Sequence, residues 1–301
     1  MDQASNLRNI IKQRNAANAN AVANTADPAS GHARVITVTS GKGGVGKSNT
    51  TVNLAVQFSK RGKKVIIFDA DIGLANVEVM FGAIPSHNLS DVIFRGMSIK
   101  DVITPGPLDI GFISGGSGVV GLSNISKDQV IYLVKNLAQL DSMADIILID
   151  TGAGISDQVM EFVFASSEII LVSTPEPSSL TDSYSLLKTL YKSPKFDRTN
   201  AKVNVIANRA TSSEDGDAVY QKLNTVVDRF LGGSLNYLGL VPQDPAIDAA
   251  IRAQKAVSLH APKAPASKAY ECIAGNLLSG EYTYYNMSKG IAGLISGLFG
   301  R

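Results

Sequence analysis

The stretch that decides the fold is Gly41-Lys42-Gly43-Gly44-Val45-Gly46-Lys47-Ser48, a glycine loop that ends in a lysine and a serine. The β-branched run 35–39 before it predicts a strand, and the apolar spacing of residues 52–58 after it predicts a helix. Glycines let a backbone approach phosphate oxygens closely, and the helix that follows presents its positive end to the same anion. A strand, a loop and a helix in this order indicate a P-loop that binds a nucleotide. A glycine-rich turn that matches by chance is the alternative, and the flanking strand and helix disfavour it.

The side chains of the loop have different expected roles. We expect Lys47 to reach the β- and γ-phosphates and the hydroxyl of Ser48 to ligate Mg²⁺. Lys42 is not needed to hold a nucleotide in the loop, which leaves its purpose open at this point. The remaining nucleotide contacts are assigned to Gly41, Gly43, Gly44, Val45, Gly46 and Asn49.

Composition limits the class of protein. With 301 residues and 45% hydrophobic content, the chain can form one large α/β domain with a substantial core. The net charge of +2 gives no electrostatic bias toward nucleic acid. Cys272 is the single cysteine, so no disulfide forms within a chain and an iron–sulfur site built from paired cysteines is disfavoured. No apolar run is long enough to span a bilayer and the N-terminus lacks a signal-peptide core, so we expect a cytoplasmic protein.

Beyond the loop, apolar strands alternate with helical stretches. Strands are predicted at 64–68, 109–113, 145–149, 168–173, 203–207 and 235–241, and helices at 127–140, 157–164, 180–191 and 218–230. This alternation predicts a mostly parallel sheet covered by helices on both faces, and such sheets bind ligands at the carboxyl ends of their strands. The glycine loop, Asp71, Asp150 and Asn208 all follow predicted strands, which indicates a single site.

Aspartates supply the candidate carboxylates of that site. Asp150 ends an apolar strand and is expected to hold Mg²⁺ through water, although a helix N-cap is an alternative for it. Asp69 and Asp71 follow another strand, and a carboxylate there can orient the attacking water. We favour Asp71, because Asp69 directly follows the buried end of its strand and suits a structural role better.

These residues resemble the MinD/ParA class of P-loop ATPases over approximately residues 34–280. The glycine loop is similar to its deviant Walker A motif, residues 68–76 to its switch I, and residues 150–154 to its switch II. The resemblance implies that Lys42 reaches across a dimer interface to the phosphates bound by a second copy. It also implies that Asp71 orients the water, so that the catalytic residues are Asp71, Lys42 and Lys47.

The resemblance extends to the nucleotide base and the metal. It implies that Asn208, with Arg209 beside it, contacts the adenine, and that a loop beginning at Pro242 closes over the base. From the residues alone, Asn208 could equally cap a loop. The implied metal contacts are Ser48, Asp71 and Asp150, and the implied cofactors are ATP and Mg²⁺.

The N-terminal residues point to one family within this class of ATPases. Its first residues, Asp2-Gln3-Ala4-Ser5-Asn6-Leu7-Arg8, resemble the activation motif of the FlhG family, also called FleN or YlxH, which controls flagellar number and position. The resemblance implies docking on the flagellar GTPase FlhF, stimulation of its hydrolysis, and contacts through Gln3, Leu7 and Arg8. Flagellar basal-body components are further implied partners. Helical spacing alone leaves a frayed terminus without a role as the alternative.

The C-terminus carries an amphipathic pattern. Its apolar residues fall on one helical stripe, which includes Ile291, Leu294, Ile295, Leu298 and Phe299. Interspersed glycines each weaken a helix by about 1 kcal/mol relative to alanine, so the segment needs a surface to fold on. The pattern is typical of a helix that binds an anionic membrane surface, and MinD-type proteins carry such a helix at this end. A last helix packed on the core is the alternative, and the two states could interchange with ATP-driven dimerisation.

Together these features predict a Mg²⁺-dependent ATPase with a low basal rate that dimerises with ATP. Three regions are expected: a partner-binding motif and flexible linker at 1–33, the ATPase domain at 34–280 and a membrane-targeting segment at 281–301. The protein is expected to cycle between the cytoplasm and the inner face of the cell membrane. A MinD-type division-site regulator, a ParA-type DNA-partitioning protein and a nucleotide-binding module without turnover are the alternatives. The charge and the apolar C-terminus disfavour the second, and no specific nucleic-acid partner is expected.

Overall fold

The computed structural model describes residues 33–74, 76–116 and 125–285. The expectations for Gln3, Leu7 and Arg8, and those for the C-terminal stripe at 291–299, lie outside these residues. The predicted ATPase domain is therefore described almost completely.

Eight strands form one sheet across the described residues. They are β1 (Arg34–Ser40), β2 (Val65–Ala70), β3 (Thr104–Pro105), β4 (Gly111–Ile113), β5 (Ile146–Ala153), β6 (Glu168–Ser173), β7 (Lys202–Ala210) and β8 (Asn236–Pro242). The spatial order is β3-β4-β2-β5-β1-β6-β7-β8. Every neighbouring pair is parallel except β3 with β4. The sheet is thus mostly parallel, as predicted, and β1, which leads into the glycine loop, lies between β5 and β6 near its centre.

Ten α-helices lie within the described ranges, and the last three follow the final strand. They are α1 (Lys47–Ser59), α2 (Asn76–Phe81), α3 (Leu89–Arg95), α4 (Lys127–Leu137), α5 (Asp157–Ala165), α6 (Pro177–Lys192), α7 (Ser213–Leu231), α8 (Pro245–Arg252), α9 (Val257–His260) and α10 (Pro265–Ser279). Local sequence explains the ends of the longest one: the Ser212 side chain accepts from the amide of Asp215, and Gly232 ends the helix in a left-handed conformation. None of these helices is long and apolar enough to span a bilayer.

Both faces of the sheet are covered by helices. Side chains alternate between the faces along each strand, so that Ile67 of β2 and Leu148 of β5 pack toward α1 and α10. Their sequence neighbours Phe68 and Ile149 pack on the other face, against α3, α4 and α5. Farther along that face, α5, α6 and α7 cover β6 and β7. A sheet buried on both faces explains why its strands are continuous apolar runs in the sequence.

The predicted elements agree with the structure except at certain ends. The strand at 168–173 has the predicted bounds, whereas β2 and β5 continue past theirs and include Asp69 and Asp150. The strand predicted at 109–113 begins only at Gly111, because Asp109 has a φ of 58°, which no strand accommodates. A 3₁₀ turn, Pro107–Asp109, replaces its start. The helices α2, α3 and α8 to α10 were not predicted.

A row of tyrosines lies at the β8 edge of the sheet. Tyr220 of α7 stacks on Tyr237 of β8, with ring centroids 5.0 Å apart, and Tyr237 stacks on Tyr284 at 5.4 Å. A cavity of about 1360 Å³ lies beside these rings and is lined by α7, β8 and the C-terminal stretch 282–285. No residue of the glycine loop lines it, but Gln243, in the loop that begins at Pro242, does.

Candidate functional site

The glycine loop connects β1 to α1 and depends on glycine for two reasons. Gly44 and Gly46 have φ angles of 76° and 92°, which side chains with a Cβ rarely adopt. A Cβ at Gly46 would lie 2.2 Å from Nδ2 of Asn208, and a Cβ at Gly41 would lie 2.2 Å from the backbone carbon of Asp182. The loop is therefore packed tightly between β7 and α6.

Two side chains from the end of β7 hold the carbonyl groups of this loop. Asn208 donates from Nδ2 to the carbonyl of Val45 at 2.7 Å, and Arg209 donates from its guanidinium to the carbonyl of Gly44 at 2.8 Å. Arg209 itself has a φ of 56°. The Oδ1 atom of Asn208 is buried without a hydrogen-bond partner. Asn208 thus fastens the loop and also leaves a buried acceptor beside it, where the resemblance places the adenine.

The second lysine of the loop points into a group of buried carboxylates. Nζ of Lys47 donates to Oδ1 of Asp150 at 3.1 Å and lies 3.9 Å from Oδ2 of Asp71. Thr51, one turn farther along α1, also donates to Oδ1 of Asp150 at 3.1 Å. Asp150 is fully buried and lies within β5, and Ser156 caps the following helix, so the alternative of Asp150 as a helix N-cap is wrong.

The two neighbouring aspartates have different surroundings. Asp69 is fully buried, and its carboxylate accepts from the amides of Asp71 at 3.1 Å and Val77 at 3.2 Å. Burial and the charge of Asp150 raise the pKa of Asp69 well above its usual value. Asp71 is partly exposed toward Lys47 and accepts from Nδ2 of Asn76 at 3.0 Å. Burial raises its pKa too, while Lys47 opposes the shift. The geometry suits a structural role for Asp69 and leaves Asp71 available to a ligand.

The first lysine of the loop points elsewhere. Nζ of Lys42 donates to Oε2 of Glu176 at 2.9 Å and to Oγ of Ser178 at 2.6 Å, at the start of α6. The hydrogen bond from Lys42 lowers the pKa of Glu176. About a third of the Lys42 side chain is exposed, against 7% for Lys47. Lys42 therefore lies at the exposed rim of the site, and Lys47 lies on its buried floor.

The other predicted residues have mixed positions. Ser48 is the second residue of α1, and Nζ of Lys47 lies 3.5 Å from its Oγ. The side chain of Asn49 instead bonds within α1, where its Oδ1 accepts from Asn53. Pro242 is the last residue of β8, and Asp244 after it caps α8 by accepting from the amide of Ala246.

The site fits a magnesium nucleotide by the chemistry of its donors. Oδ2 of Asp150 on β5 is buried without a partner, and the hydroxyl of Ser48 lies in the first turn of α1. No three acidic, histidine or cysteine side chains of the described residues are grouped as a metal cage. Mg²⁺ in nucleotide sites needs no such cage, since phosphates and water fill most of its positions.

Sequence reasoning missed three side chains that contribute to the site: Thr51, Glu176 and Ser178. Thr51 could have been found, because it follows Lys47 by one helical turn and shares its face. Glu176 and Ser178 follow the carboxyl end of β6, the edge at which parallel sheets bind ligands. That position was a usable signal as well.

Comparison with known proteins agrees with this geometry. A family model described as ParA, NUBPL iron-transfer P-loop NTPase, matches residues 31–278. The chain is 39% identical to the antiactivator FleN of Pseudomonas aeruginosa over 80% of its own length and 85% of that protein. It is 34% identical to the flagellum site-determining protein YlxH of Helicobacter pylori, over 83% of each chain. Among solved structures, the septum site-determining protein MinD of Pyrococcus horikoshii, complexed with Mg-ADP, superposes with a TM-score of 0.66 at 25% identity. That match covers 81% of this chain and 96% of the other.

Proposed function

This chain belongs to the FleN/YlxH group of the ParA/MinD family of P-loop ATPases, and we propose that it is an ATP-driven dimerisation switch that regulates the number and placement of flagella. The names of the two flagellar relatives support the biological part of this proposal. Their identity to this chain, 39% and 34%, exceeds the 28% of a MinD from Helicobacter pylori. A flagellar role is therefore preferred to a role in cell division.

The opposite directions of the two loop lysines carry the switch proposal. Lys47 lies on the floor of the site, where it can reach phosphates bound by its own loop. Lys42 lies at the exposed rim, bound to Glu176 and Ser178. A lysine at the rim can leave those partners and contact the nucleotide of a second copy. Apolar side chains beside the site, Leu74 and Ile155, are 66% and 49% exposed, and a second copy would cover them.

The hydrolysis step is assigned to residues already close together. Asp71 orients the attacking water, because its carboxylate is the one that is open to the site. Lys47 stabilises charge on the phosphates, and Asp150 and Ser48 would hold Mg²⁺. When bound, Mg²⁺ would neutralise phosphate charge. Neighbouring carboxylates repel a phosphate anion, so the metal and Lys47 are both needed for tight binding.

Light scattering on an Asp71→Ala variant tests the switch. The variant should bind ATP and accumulate as a dimer, because it cannot hydrolyse the ATP that holds the dimer together. With ADP it should remain monomeric. A monomer in saturating ATP and Mg²⁺ would contradict the switch.

The matched control adds Lys42→Ala to Asp71→Ala. This double variant should bind ATP with an affinity close to that of Asp71→Ala, because Lys42 does not touch the floor of the site. It should stay monomeric, since the contact across the dimer is gone. Equal loss of nucleotide binding would show that Lys42 acts within its own site.

The N-terminal motif is assigned to a partner of the same pathway. We infer from its sequence that Gln3, Leu7 and Arg8 bind the flagellar GTPase FlhF and stimulate its hydrolysis. Deletion of residues 2–14 should abolish stimulation of the GTPase from the same organism while ATP binding persists. Unchanged stimulation would remove this part of the proposal and favour a MinD-type role.

The C-terminal segment is assigned to an anionic membrane surface. Its stripe would bind weakly in one copy, whereas two copies in an ATP dimer gain avidity of roughly 10²–10⁴. The protein would then be peripheral on the inner face of the cell membrane with ATP and cytoplasmic without it. Co-sedimentation with anionic liposomes should require ATP and should fail when Ile295 and Phe299 are both changed to Glu. Persistent binding of that variant would favour a helix packed on the core.

A further inference from the structure

The turn that follows β4 contacts the loop that carries Asp71. The carbonyl of Gly115 accepts from the amide of Gly73 at 3.2 Å. β4 is paired with β2, and Asp71 directly follows β2, so the turn lies at the same edge of the sheet as the site. Neither resemblance nor spacing assigned a role to this turn.

We propose that Asp69 and the turn Ser114–Gly115 together position Asp71 for hydrolysis, as two clamps on one loop. The inference rests on the proposed ATPase function. Asp69 and the turn are positioning elements, because they contact the backbone of the loop. Of these residues, Asp71 is the one that faces the site.

Asp69 forms the inner clamp. One carboxylate oxygen accepts from the amide of Asp71 and the other from the amide of Val77. These amides stand at the start of the loop and in the first turn of α2, which ends it. A single rigid side chain thus fixes the distance between the two ends. Since Asp69 is fully buried in β2, the sheet itself sets the position of both amides.

Gly115 forms the outer clamp. A Cβ at this residue would lie 3.0 Å from the carbonyl oxygen of Asp69 and 3.1 Å from that of Asp71. It would also lie 3.4 Å from Cα of Ile72. All three are backbone atoms, which cannot turn aside as the end of a side chain can. Any side chain at Gly115 therefore has to displace the loop that carries Asp71.

The outer clamp is itself anchored. Ser114 is buried, and its hydroxyl donates to Oε2 of Glu78 on α2 at 2.6 Å while accepting from the amide of Gly116 at 3.1 Å. Its carbonyl accepts from the amide of Leu89 at the start of α3. The turn is thus tied to both helices that follow the loop, so displacement of the loop is not absorbed by a yielding turn.

A Gly115→Ala variant of the full chain tests the proposal. We expect kcat for phosphate release at saturating ATP and Mg²⁺ to fall by about threefold to tenfold, because a Cβ at Gly115 pushes the loop by a few tenths of an ångström and a misplacement of 1 Å can cost about 10²-fold. The Kd for a fluorescent ATP analogue should change less than about twofold, because the glycine loop is not touched. Amide hydrogen exchange in residues 71–77 should accelerate in the same variant, which a purely catalytic defect would not produce.

Gly275→Ala is the matched control. Gly275 lies inside α10, and the nearest atom to a Cβ there is 3.8 Å away, so kcat, Kd and exchange should all equal those of the wild type. Asp69→Asn is the second variant, because an amide loses one of the two acceptors at nearly constant volume. It should show the same fall in kcat with an almost unchanged Kd.

The outcomes separate the two levels of inference. If the wild type and Gly275→Ala release phosphate and Gly115→Ala matches them, the positioning role is wrong and the ATPase proposal stands. An equal loss of kcat and ATP affinity in both Gly115→Ala and Asp69→Asn would also overturn the positioning role, because it would show a general loss of fold. If the wild type releases no phosphate while Asp71→Ala binds ATP equally well, the ATPase proposal fails.

Discussion

The glycine loop and the loop that carries Asp71 lie at the same edge of the sheet and are fixed in opposite ways. The carbonyls of the glycine loop are held by side-chain donors from the end of β7, Asn208 and Arg209. The amides of the Asp71 loop are held by an acceptor, the carboxylate of Asp69, from its own strand. One loop is fixed by an amide and a guanidinium group, and the other by a buried carboxyl group.

This difference teaches how the two loops respond to a ligand. Holding the carbonyls of the glycine loop away leaves its amides free for an anion, so the loop is organised before a nucleotide arrives. Burial, and after it the nearby charge of Asp150, raise the pKa of Asp69. The Asp71 loop is held by contacts within its own strand and α2, and the glycine loop by contacts from β7.

The largest expected effect comes from removing the lysine between the two loops. Lys47→Ala leaves the fully buried Asp150 without its cationic partner, which costs about 3–5 kcal/mol of the free energy of unfolding when such a pair is broken. The variant should also lose ATP binding, since Lys47 is the one lysine of the described residues that lies on the floor of the site. Urea denaturation and equilibrium binding measure the two losses.

Lys42→Ala is the control for this prediction. Its partner Glu176 is exposed, so unfolding should be almost unaffected and ATP binding should persist. Equal free energies of unfolding for Lys47→Ala and Lys42→Ala would contradict this prediction. They would show that Lys47 does not stabilise the buried carboxylates.

A smaller effect is expected where a neutral group holds the glycine loop. Asn208→Ala removes the donor to the carbonyl of Val45 and opens space beside Gly46. Leaving a buried acceptor unpaired costs about 1–3 kcal/mol, so the Kd for ATP should rise about tenfold or more. Hydrolysis at saturating ATP should change less than binding, because Asp71 is held separately. Calorimetric titration and phosphate release distinguish the two; a fall confined to kcat would contradict the division of roles.

The smallest effect concerns the support behind the glycine loop. Burial raises the pKa of Tyr270 to about 12, and its hydroxyl lies 3.5 Å from that of Thr50 on α1. The folded state therefore keeps a proton that the unfolded chain loses near its ordinary pKa of 10.0. Stability supplied by the neutral phenol is complete below pH 10 and declines as the pH rises toward 12.

Comparison of the wild type with Tyr270→Phe isolates this contribution. The free energy of unfolding of the variant should fall less steeply between pH 10 and pH 12 than that of the wild type. The lysines and the other tyrosines titrate in both proteins, so their contributions cancel in the difference between the two curves. Parallel curves would mean that Tyr270 is already accessible to hydroxide in the folded state.

The sequence predicted the frame of this site because strong local signals coincide there. Continuous apolar runs mark the strands, and glycines followed by Lys47 and Ser48 mark the loop and the start of α1. Parallel sheets bind ligands at the carboxyl ends of their strands, so the sequence predicted that Asp71, Asp150 and Asn208 lie at one edge of the sheet. The structure places all three at that edge. The structural role expected for Asp69 also agrees with its two backbone contacts.

The remainder depended on contacts between distant segments, which no local pattern reports. Glu176 meets Lys42 across 134 positions of sequence, and Asn208 meets Val45 across 163. The helix α10 is an exception: Tyr270, Ile273 and Leu277 lie buried on it at helical spacing, so its sequence held a usable signal. Short helices such as α2 and α3 carry too few residues for a periodic pattern.

The stacked tyrosines at the β8 edge also give the protein an optical signature. The chain has no tryptophan and nine tyrosines, and three of the nine form one stacked row. Fixed aromatic stacks dominate near-ultraviolet circular dichroism, which is lost when tertiary packing loosens. Tyr284 is the outermost ring and lies near the start of the predicted membrane-targeting segment at 281–301. Departure of this part of the chain from β8 would therefore change the ellipticity near the tyrosine band, without any added label.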